Sequence, residues 1–259
     1  MAYLTKEQEL NLRQIEQEVI GLASDLVQHD SGFHCHTDHA QILYAPSGCM
    51  TLLTRNCQII LPPQKILYIP AGLEHRVTFR NVVAYRSIYL SIRKTELVDL
   101  GLQARIVSPL LAQVIERICW WDWIGEPTVQ QQHILQVFWD EFYEAQEVDH
   151  ELRIPSDYRL QSFMHQFMLE KNVPPFLHEF EKQVGASQKT ITRIFKRETD
   201  MSYQAWRQQW RIYRAIELLA EKTTLSEVSD QLNFSSDSAF IEFFKNHRGI
   251  TPAKYFNTR

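Results

Sequence analysis

The chain has 259 residues, 44% of them hydrophobic and 12% aromatic, so it can bury sizeable cores in one large or two modest domains. No run of 18 or more apolar residues is present, which argues against a membrane-spanning helix, and the first residues lack the basic-then-apolar order of a signal peptide. We therefore expect a cytoplasmic protein. The four cysteines form no CxxC pair, which predicts reduced structural thiols.

The net charge of −4 is unevenly distributed. Residues 157–259 contain 15 of the 27 basic and 12 of the 31 acidic residues, a net charge of +3, which leaves −7 for residues 1–156. A mildly basic C-terminal half that follows an acidic N-terminal half indicates two domains with different partners. The basic half is compatible with nucleic acid, although the charge alone is weak evidence.

The first half of the chain changes its pattern twice. Residues 5–20 are predicted to form an amphipathic helix, whereas residues 20–92 contain short β-branched and aromatic runs between turn signals, which is typical of an all-β sandwich or barrel. A helical pattern follows over residues 105–149. It begins with Ser108 as N-cap and Pro109 at the first helical position.

The helical region is rich in large aromatic side chains. Most of them are expected to pack against the barrel, and a dimer interface is the alternative, because a surplus of apolar surface favours a partner. This set is Trp120, Trp121, Trp123, Phe138 and Trp139. Residues 147–157 are polar, end in Pro-Ser-Asp, and form the candidate linker to a final stretch of successive helices.

The segment HCHTDHAQ, residues 34–41, concentrates side chains that can bind a metal. His34 and His36 are two apart on a predicted strand and so share a face, whereas Cys35 should face the other way. Asp38 and His39 are expected to belong to the turn and to face water. The segment PAGLEH, residues 70–75, supplies a further histidine, His75.

The two spacings, HxHxxxxQxxxxxxG and PxGxxH, resemble the two cupin motifs over residues 30–92. Metal-binding cupins have His, His, Glu and His where this chain has His34, His36, Gln41 and His75, so the resemblance implies a possible metal site formed by these four. Three imidazoles suit Zn, Ni or Fe, but the neutral Gln41 removes a negative charge and weakens a site for hard metals. Alternatively, the histidines line a pocket that hydrogen-bonds an organic effector. Tyr44 and Arg86 are then plausible further contacts, or simply sheet residues.

The last hundred residues contain a degenerate repeat, residues 176–202 and 225–251. Ser187 matches Ser236 and Phe195 matches Phe244, each 49 positions apart. Each copy has a short helix, a residue that tolerates positive φ (Gly185 or Asn233), and a serine that caps a second helix, as in a helix-turn-helix. Between the copies, residues 202–221 predict one rigid helix of about 30 Å, close to the roughly 34 Å between successive major-groove faces.

These residues resemble the AraC/XylS family of bacterial transcription regulators, above all in SQKTITRIFKRETDMSYQAWRQQWRIYRAIELL and FSSDSAFIEFFKNHRGITPAKY. The resemblance implies two helix-turn-helix subdomains on adjacent major-groove segments. Lys189, Thr192 and Arg193 match base-facing positions of the first recognition helix, and Ser236, Ser238 and Ile241 fall on the corresponding face of the second. The full set of predicted DNA-binding residues is Ser187, Gln188, Lys189, Thr190, Thr192, Arg193, Lys196, Arg197, Ser236, Ser238, Ile241 and Lys245.

Three positions depart from the family pattern. Asp200 and Asn233 stand where Gly is usual, and both residue types tolerate left-handed backbone. Glu242 stands where Arg is common, and its carboxylate is repelled by phosphates. We therefore predict that the first subdomain supplies most of the base readout and that the second mainly docks on the backbone.

Together the patterns predict an α+β protein. Residues 1–105 would form a cupin-like effector-sensing domain, 106–150 a helical dimerisation and linker segment, and 157–259 a double helix-turn-helix DNA-binding domain. The expected partners are promoter DNA, a small-molecule effector, a second copy of the chain and, for an activator, RNA polymerase. The alternative function is a cupin metalloenzyme with an accessory helical domain, which Gln41 and the DNA-binding half disfavour.

Overall fold

The computed structural model describes residues 17–26, 29–79, 83–94, 100–122, 126–148, 151–170 and 172–257. The chain forms two compact units. The first contains residues 1–54 and 60–150, and the second contains residues 55–59 and 151–259. In the described part of the chain, every helix is too short or too polar to cross a membrane.

The first unit is built on antiparallel strands. A six-stranded sheet has, in spatial order, β1 (Val19–Leu26), β8 (Val83–Ser91), β3 (His39–Tyr44), β6 (Lys65–Ile69), β9 (Gln103–Ile106) and β10 (Glu147–Val148). A second group of paired strands contains β4 (Met50–Leu53), β7 (Arg76–Phe79) and β2 (His29–Asp30). The predicted α+β class, with an N-terminal β-domain and C-terminal helices, is confirmed.

Strand alternation gives the six-stranded sheet two different faces. Side chains such as Ala40, Ile42 and Ile88 point outward and form the hydrophobic core with helices α1 (Pro109–Cys119) and α2 (Val129–Glu144). Gln41 and Ser87, one residue along each strand, point the opposite way and hydrogen-bond to each other. Gln41, Ser87 and Tyr89 are thereby directed into the barrel, on the face opposite α1 and α2.

The helices α1 and α2 begin as their sequences dictate. Ser108 caps α1, its Oγ accepting from Leu111 N at 3.0 Å, with Pro109 at the first helical position as predicted. Phe138 and Phe142 of α2 are fully buried in the core, whereas Trp120 is 52% exposed. Trp123 lies outside the described residues.

Three expectations at element boundaries are corrected. Residues 5–16 of the predicted first helix lie outside the described residues, but Val19 and Ile20 begin β1 and pair with β8. Residues 105 and 106, expected to begin a helical region, belong to β9. The candidate linker contains β10 and β11 (Glu151–Arg153). In each case pairing with a strand distant in sequence overrides the local pattern.

In the second unit, residues 57–59 of β5 (Cys57–Leu61) pair with β11. Seven helices follow among the residues that the structure describes: α3 (Tyr158–Glu170), α4 (Leu177–Val184), α5 (Gln188–Thr199), α6 (Tyr203–Ala220), α7 (Leu225–Gln231), α8 (Asp237–Arg248) and α9 (Pro252–Asn257). The predicted connecting helix is confirmed as α6, whose 18 residues span about 27 Å.

Helix α6 provides the core of the second unit. Trp206 and Tyr213 are almost fully buried, and the Trp206 ring lies 5.2 Å from Phe195 of α5 between ring centroids. Trp206 Nε1 also donates to the Arg153 carbonyl at 2.8 Å. A buried indole is therefore both packed and hydrogen-bonded.

We predict that Gly21→Ala strongly destabilises the first unit. Gly21 lies on the outward face of β1, and a Cβ there would sit 2.1 Å from the Ile118 carbonyl oxygen of α1. The helix would have to move away, at a cost of about 1–3 kcal/mol or more.

The matched control is Gly101→Ala. Gly101 has φ +65 but open space around its Cα, so alanine there costs only left-handed strain, about 1–2 kcal/mol. Thermal unfolding by circular dichroism compares the two variants, and an equal drop in Tm would contradict the close-approach argument.

Candidate functional site

The first helix-turn-helix, formed by α4 and α5, has the geometry that its sequence predicts. Gly185 ends α4 with φ 64, and the Ser187 hydroxyl caps α5 by accepting from Thr190 N at 3.3 Å. Ile191 and Ile194 are buried, as predicted. The opposite face of α5 is therefore free for a ligand.

Lys189 and Arg193 are the two most available cations on that face. Both are exposed, and neither makes an ion pair or side-chain hydrogen bond to any residue that the structure describes. Thr192 lies between them and is half-buried. Arg and Lys so placed can donate to guanine edges or to phosphates.

Other predicted contact residues of α5 are already engaged within the protein. Gln188 Nε2 donates to Glu181 at 2.9 Å, and Lys196 Nζ donates to the Asp200 carbonyl at 2.8 Å. The hydroxyls of Ser187 and Thr190 lie 3.0 Å apart in a hydrogen bond. These contacts orient the side chains and use part of their hydrogen-bonding capacity.

Arg197 is held more firmly than the rest. Its guanidinium donates to Asp157 at 3.1 Å and also contacts the Glu198 carboxylate. Glu198 in turn accepts from the backbone N–H groups of Ser156 and Asp157, just before α3. Arg197 therefore ties α5 to the start of α3.

The second helix-turn-helix repeats the arrangement with α7 and α8. Asn233 in the turn has φ 55, and Asp200 after α5 has φ 58, so both non-glycine residues adopt the predicted left-handed conformation. The Ser236 hydroxyl caps α8 by accepting from Ala239 N at 3.2 Å. Ser238, Glu242 and Lys245 are exposed on α8, and Ile241 is half-buried.

A buried arginine holds the second turn, and the sequence patterns did not predict it. Arg211 of α6 donates to the Leu232 carbonyl at 2.7 and 3.1 Å, and its guanidinium carbon lies 3.7 Å from the centroid of the Phe234 ring. Burial lowers the pKa of Arg211 to about 10. The sequence did contain one signal for this contact, because Arg211 lies on the apolar face of the predicted helix.

The histidine motif forms one compact group in the first unit. His34 and His75 are joined by an isolated antiparallel β-bridge, so His34 is not on a regular strand as predicted, and His36 follows in the loop before β3. The structure still brings His34, His36 and His75 together, with a candidate ligand atom from each within 4.8 Å of the others.

Backbone carbonyls orient two of the three imidazoles. His34 Nδ1 lies 3.0 Å from the Gly32 carbonyl, and His75 Nδ1 lies 2.8 Å from the Leu73 carbonyl. Since a carbonyl only accepts, each Nδ1 carries the hydrogen and each Nε2 of the neutral ring presents a lone pair. This backbone support is typical of metal-binding histidines.

Gln41 adds an amide group to the three imidazoles, and its oxygen is a second kind of possible metal ligand. Its amide nitrogen lies 2.9 Å from Ser87 Oγ and 3.1 and 3.3 Å from the Tyr89 and Tyr85 hydroxyls, and its two N–H groups can donate to two of these three oxygens at a time. Its oxygen is therefore left facing His75 Nε2 at 3.2 Å. Two lone-pair atoms at that distance repel each other, and a proton, a cation or an exchange of the amide oxygen and nitrogen would relieve the repulsion.

Protonation is an unfavourable solution for this pair. Burial lowers the pKa of His75, and burial with the neighbouring histidines lowers the pKa of His36 to about 4. His36 Nε2 is also buried without a hydrogen-bond partner among the described residues. Three imidazoles and one amide oxygen thus fit a borderline metal ion such as Zn²⁺ or Ni²⁺.

The structure does not bring Tyr44 and Arg86 to this group. Both lie on the outward face of the sheet, where Arg86 Nε donates to Glu116 at 2.8 Å and its guanidinium lies over the Trp120 ring. His39, expected to face water, is only 7% exposed, because β3 begins there and gives it the same phase as Gln41. Asp38 instead binds Arg93, and Cys35 is exposed.

We predict that Asp157→Asn lowers stability in a pH-dependent way. Hydrogen bonds from Arg159, then Arg197, hold the pKa of Asp157 well below its usual range. A carboxyl group whose folded pKa is depressed stabilises the protein above its unfolded pKa of about 4 and loses that contribution as the pH falls towards the folded pKa.

Chemical unfolding of both proteins should therefore show a stability difference at pH 7 that narrows below about pH 4. A difference that stays constant down to pH 2 would mean that the carboxylate charge is not the cause. Ser202→Ala, which removes the cap of α6, is the control expected to cost about 1 kcal/mol at every pH.

Comparison with known proteins bears on both units. Residues 181–258 match the family described as "Helix-turn-helix domain". The HTH-type transcriptional regulator NimR of Escherichia coli is 25% identical over 90% of this chain and 82% of its own. The uncharacterized HTH-type transcriptional regulator YobQ of Bacillus subtilis is 26% identical over 87% of this chain and 90% of its own.

Among solved structures, ToxT from Vibrio cholerae O395 covers 94% of this chain and 97% of its own, with 12% identity and a TM-score of 0.37. The two relatives align along most of the chain, in which the helices of the second unit follow the β-domain in sequence. The chain is thus similar to HTH-type transcriptional regulators over most of its length, and its second unit contains the match to the helix-turn-helix domain.

Proposed function

We propose that the chain is a ligand-responsive transcription regulator that binds promoter DNA with the second unit and an effector with the barrel of the first. The observation that carries the proposal is the pair of capped, exposed recognition helices, α5 and α8, connected by the rigid α6. The roughly 27 Å length of α6 is compatible with two recognition helices that enter the major groove one helical turn of DNA apart.

Lys189 and Arg193 are assigned to DNA because they are exposed cations without partners in the described part of the protein. Arg193 can donate two hydrogen bonds to a guanine, and Lys189 can bind either a base or a phosphate. Arg197 is a weaker candidate for DNA contact, because Asp157 and Glu198 already hold its guanidinium.

The effector site is assigned to His34, His36, His75 and Gln41. The convergence of the three imidazoles, together with a buried His36 Nε2 that has no hydrogen-bond partner among the described residues, supports a bound cation, and that cation would supply a Lewis-acidic centre to which an effector could coordinate. The hydroxyls of Tyr89 and Ser87 hold the Gln41 amide in place. An effector changes DNA binding only by as much as it prefers one conformation over another.

We further propose a homodimer that uses helices α1 and α2. Leu110 is 51% exposed, Val129 is 61% exposed, and Trp120 and Tyr143 also present apolar surface to solvent. Apolar surface of this kind favours a protein partner. A regulator that activates transcription would also contact RNA polymerase.

The DNA-binding proposal predicts that the full chain shifts duplex DNA from upstream of its own gene in a salt-sensitive way. Arg193→Ala should weaken this binding roughly 5- to 150-fold, because a good bidentate base contact is worth about 1–3 kcal/mol. Fluorescence anisotropy titrations at several salt concentrations measure both effects.

Lys222→Ala is the control, since Lys222 is an exposed cation in the turn after α6. It should change the affinity much less than Arg193→Ala. Equal affinities for the wild type and Arg193→Ala would remove Arg193 from the interface, and the absence of any sequence preference would contradict the regulator assignment.

The effector-site proposal predicts that Zn²⁺ or Ni²⁺ raises the Tm of the full chain. At a free metal concentration a hundred times Kd, the stabilisation is about 2.7 kcal/mol. His36→Ala and His75→Ala should abolish the rise, whereas His178→Ala, a control at an exposed histidine of α4, should retain it.

Replacing the neutral ligand should change the metal preference. Gln41→Glu adds a carboxylate and is expected to strengthen binding of Fe²⁺ or Mn²⁺ relative to Zn²⁺. A Tm rise that survives in both His36→Ala and His75→Ala would place the metal elsewhere and overturn the assignment.

A further inference from the structure

The two recognition helices carry opposite charges at equivalent positions. Arg193 is the sixth residue of α5 and Glu242 is the sixth residue of α8, and the 49-residue offset of the repeat superimposes one position on the other. Both side chains are exposed. The second helix therefore presents hydrogen-bond acceptors where the first presents donors.

Glu242 shares with Asp230 and Asp237 the absence of a side-chain hydrogen bond or ion pair to the described residues, and of the three it alone lies in the middle of a recognition helix. Most of the other carboxylates of the second unit accept hydrogen bonds that cap helices or pair with basic and polar side chains: Glu179, Glu181, Glu198, Glu217 and Glu227. Within the described residues, Glu242 makes no hydrogen bond or ion pair, not even with Lys245 three positions further on. Its charge is uncompensated on the surface that would face DNA.

Glu242 is also the longest acidic side chain on that surface. Its neighbours on the exposed side of α8 are the short Ser238 and the half-buried Ile241. A carboxylate held near phosphates is repelled, so it weakens binding to every sequence unless it meets a donor. The major groove offers such a donor only at the amino groups of cytosine and adenine.

Cytosine is the better partner of the two. Adenine presents its N6 donor beside the N7 acceptor, and this acceptor repels a carboxylate, whereas cytosine presents the N4 donor without an adjacent acceptor in the groove. Guanine and thymine present acceptors at O6, N7 and O4, which repel an ionised carboxylate.

We propose that Glu242 is a specificity-determining residue that selects cytosine in the part of the binding site contacted by α8. The proposal rests on the proposed DNA-binding function, and it assigns to α8 one base contact in addition to the backbone docking expected of Ser238 and Lys245. The two subdomains then prefer opposite orientations of a G·C pair, guanine facing Arg193 and cytosine facing Glu242.

The test is selection of binding sites from a randomised duplex by the full chain, followed by anisotropy titrations of single-base variants of the selected site. The wild type should prefer cytosine at one position by roughly 5- to 150-fold over guanine and thymine. Glu242→Ala should remove the preference at that position and leave the others unchanged.

Two further variants should redirect the preference. Glu242→Gln should shift it towards adenine, since an amide can pair with both N6 and N7, and Glu242→Arg should shift it towards guanine. Asp230→Asn removes the same charge from an exposed residue at the end of α7, outside the recognition helix, and should leave all base preferences unchanged.

Three results have distinct meanings. If the wild type selects no sequence at all, the proposed DNA-binding function fails. If the wild type selects a site and Glu242→Ala retains every base preference, only the inference about Glu242 is overturned. If Glu242→Ala binds all sequences more tightly by the same factor, the carboxylate merely repels DNA, and the inference is again overturned.

Discussion

The alternation of side chains along β3 and β8 is the constraint on which the first unit depends. These neighbouring strands pair over six residues, from His39 opposite Ser91 to Tyr44 opposite Arg86. One phase buries apolar side chains under α1 and α2, and the other directs Gln41, Ser87 and Tyr89 into the barrel. A slip of one residue would exchange the two faces, so hydrophobic burial also fixes the position of the polar group.

In the second unit, the corresponding constraint is the burial of α6. This helix carries Trp206 and Trp210 towards the first subdomain and Arg211 towards the turn of the second, where its guanidinium satisfies a backbone carbonyl and covers an aromatic ring. A buried arginine is costly unless it is hydrogen-bonded, and here its partners are in the turn itself. One helix therefore holds both subdomains and leaves the outer faces of α5 and α8 to solvent.

The histidine group shows how a loop can build a site that strand geometry alone would not. His34 and His36 converge with His75 because a bridge between His34 and His75 closes the loop, not because they alternate on a regular strand. The carbonyls of Gly32 and Leu73, each two residues before a histidine, then select the tautomers. Gln41 lies on β3, and hydroxyl groups of β8 contact its amide and orient it.

Much of this molecule was predictable because its information is local. The helix caps Ser108, Ser187 and Ser236, the left-handed Asn233 and Asp200, and the period of α6 are properties of a few adjacent residues, and each was found where it was expected. The histidine spacing likewise indicated which imidazoles would meet. Strands β9, β10 and β11 were missed, because a short strand is defined by its distant partner and not by its own pattern.

The sequence by itself determined the two kinds of unit, the two capped recognition helices and the identity of the histidine group, because caps, periodicity and motif spacing act within a few residues. Only the tertiary structure decided that Tyr44 and Arg86 face away from the histidines, that His39 is buried, and that Arg197 is held by Asp157. It also decided that the Gln41 amide lies 3.2 Å from His75 Nε2. These properties depend on the phase of paired strands and on partners more than 30 positions away, for which the sequence carries no local signal.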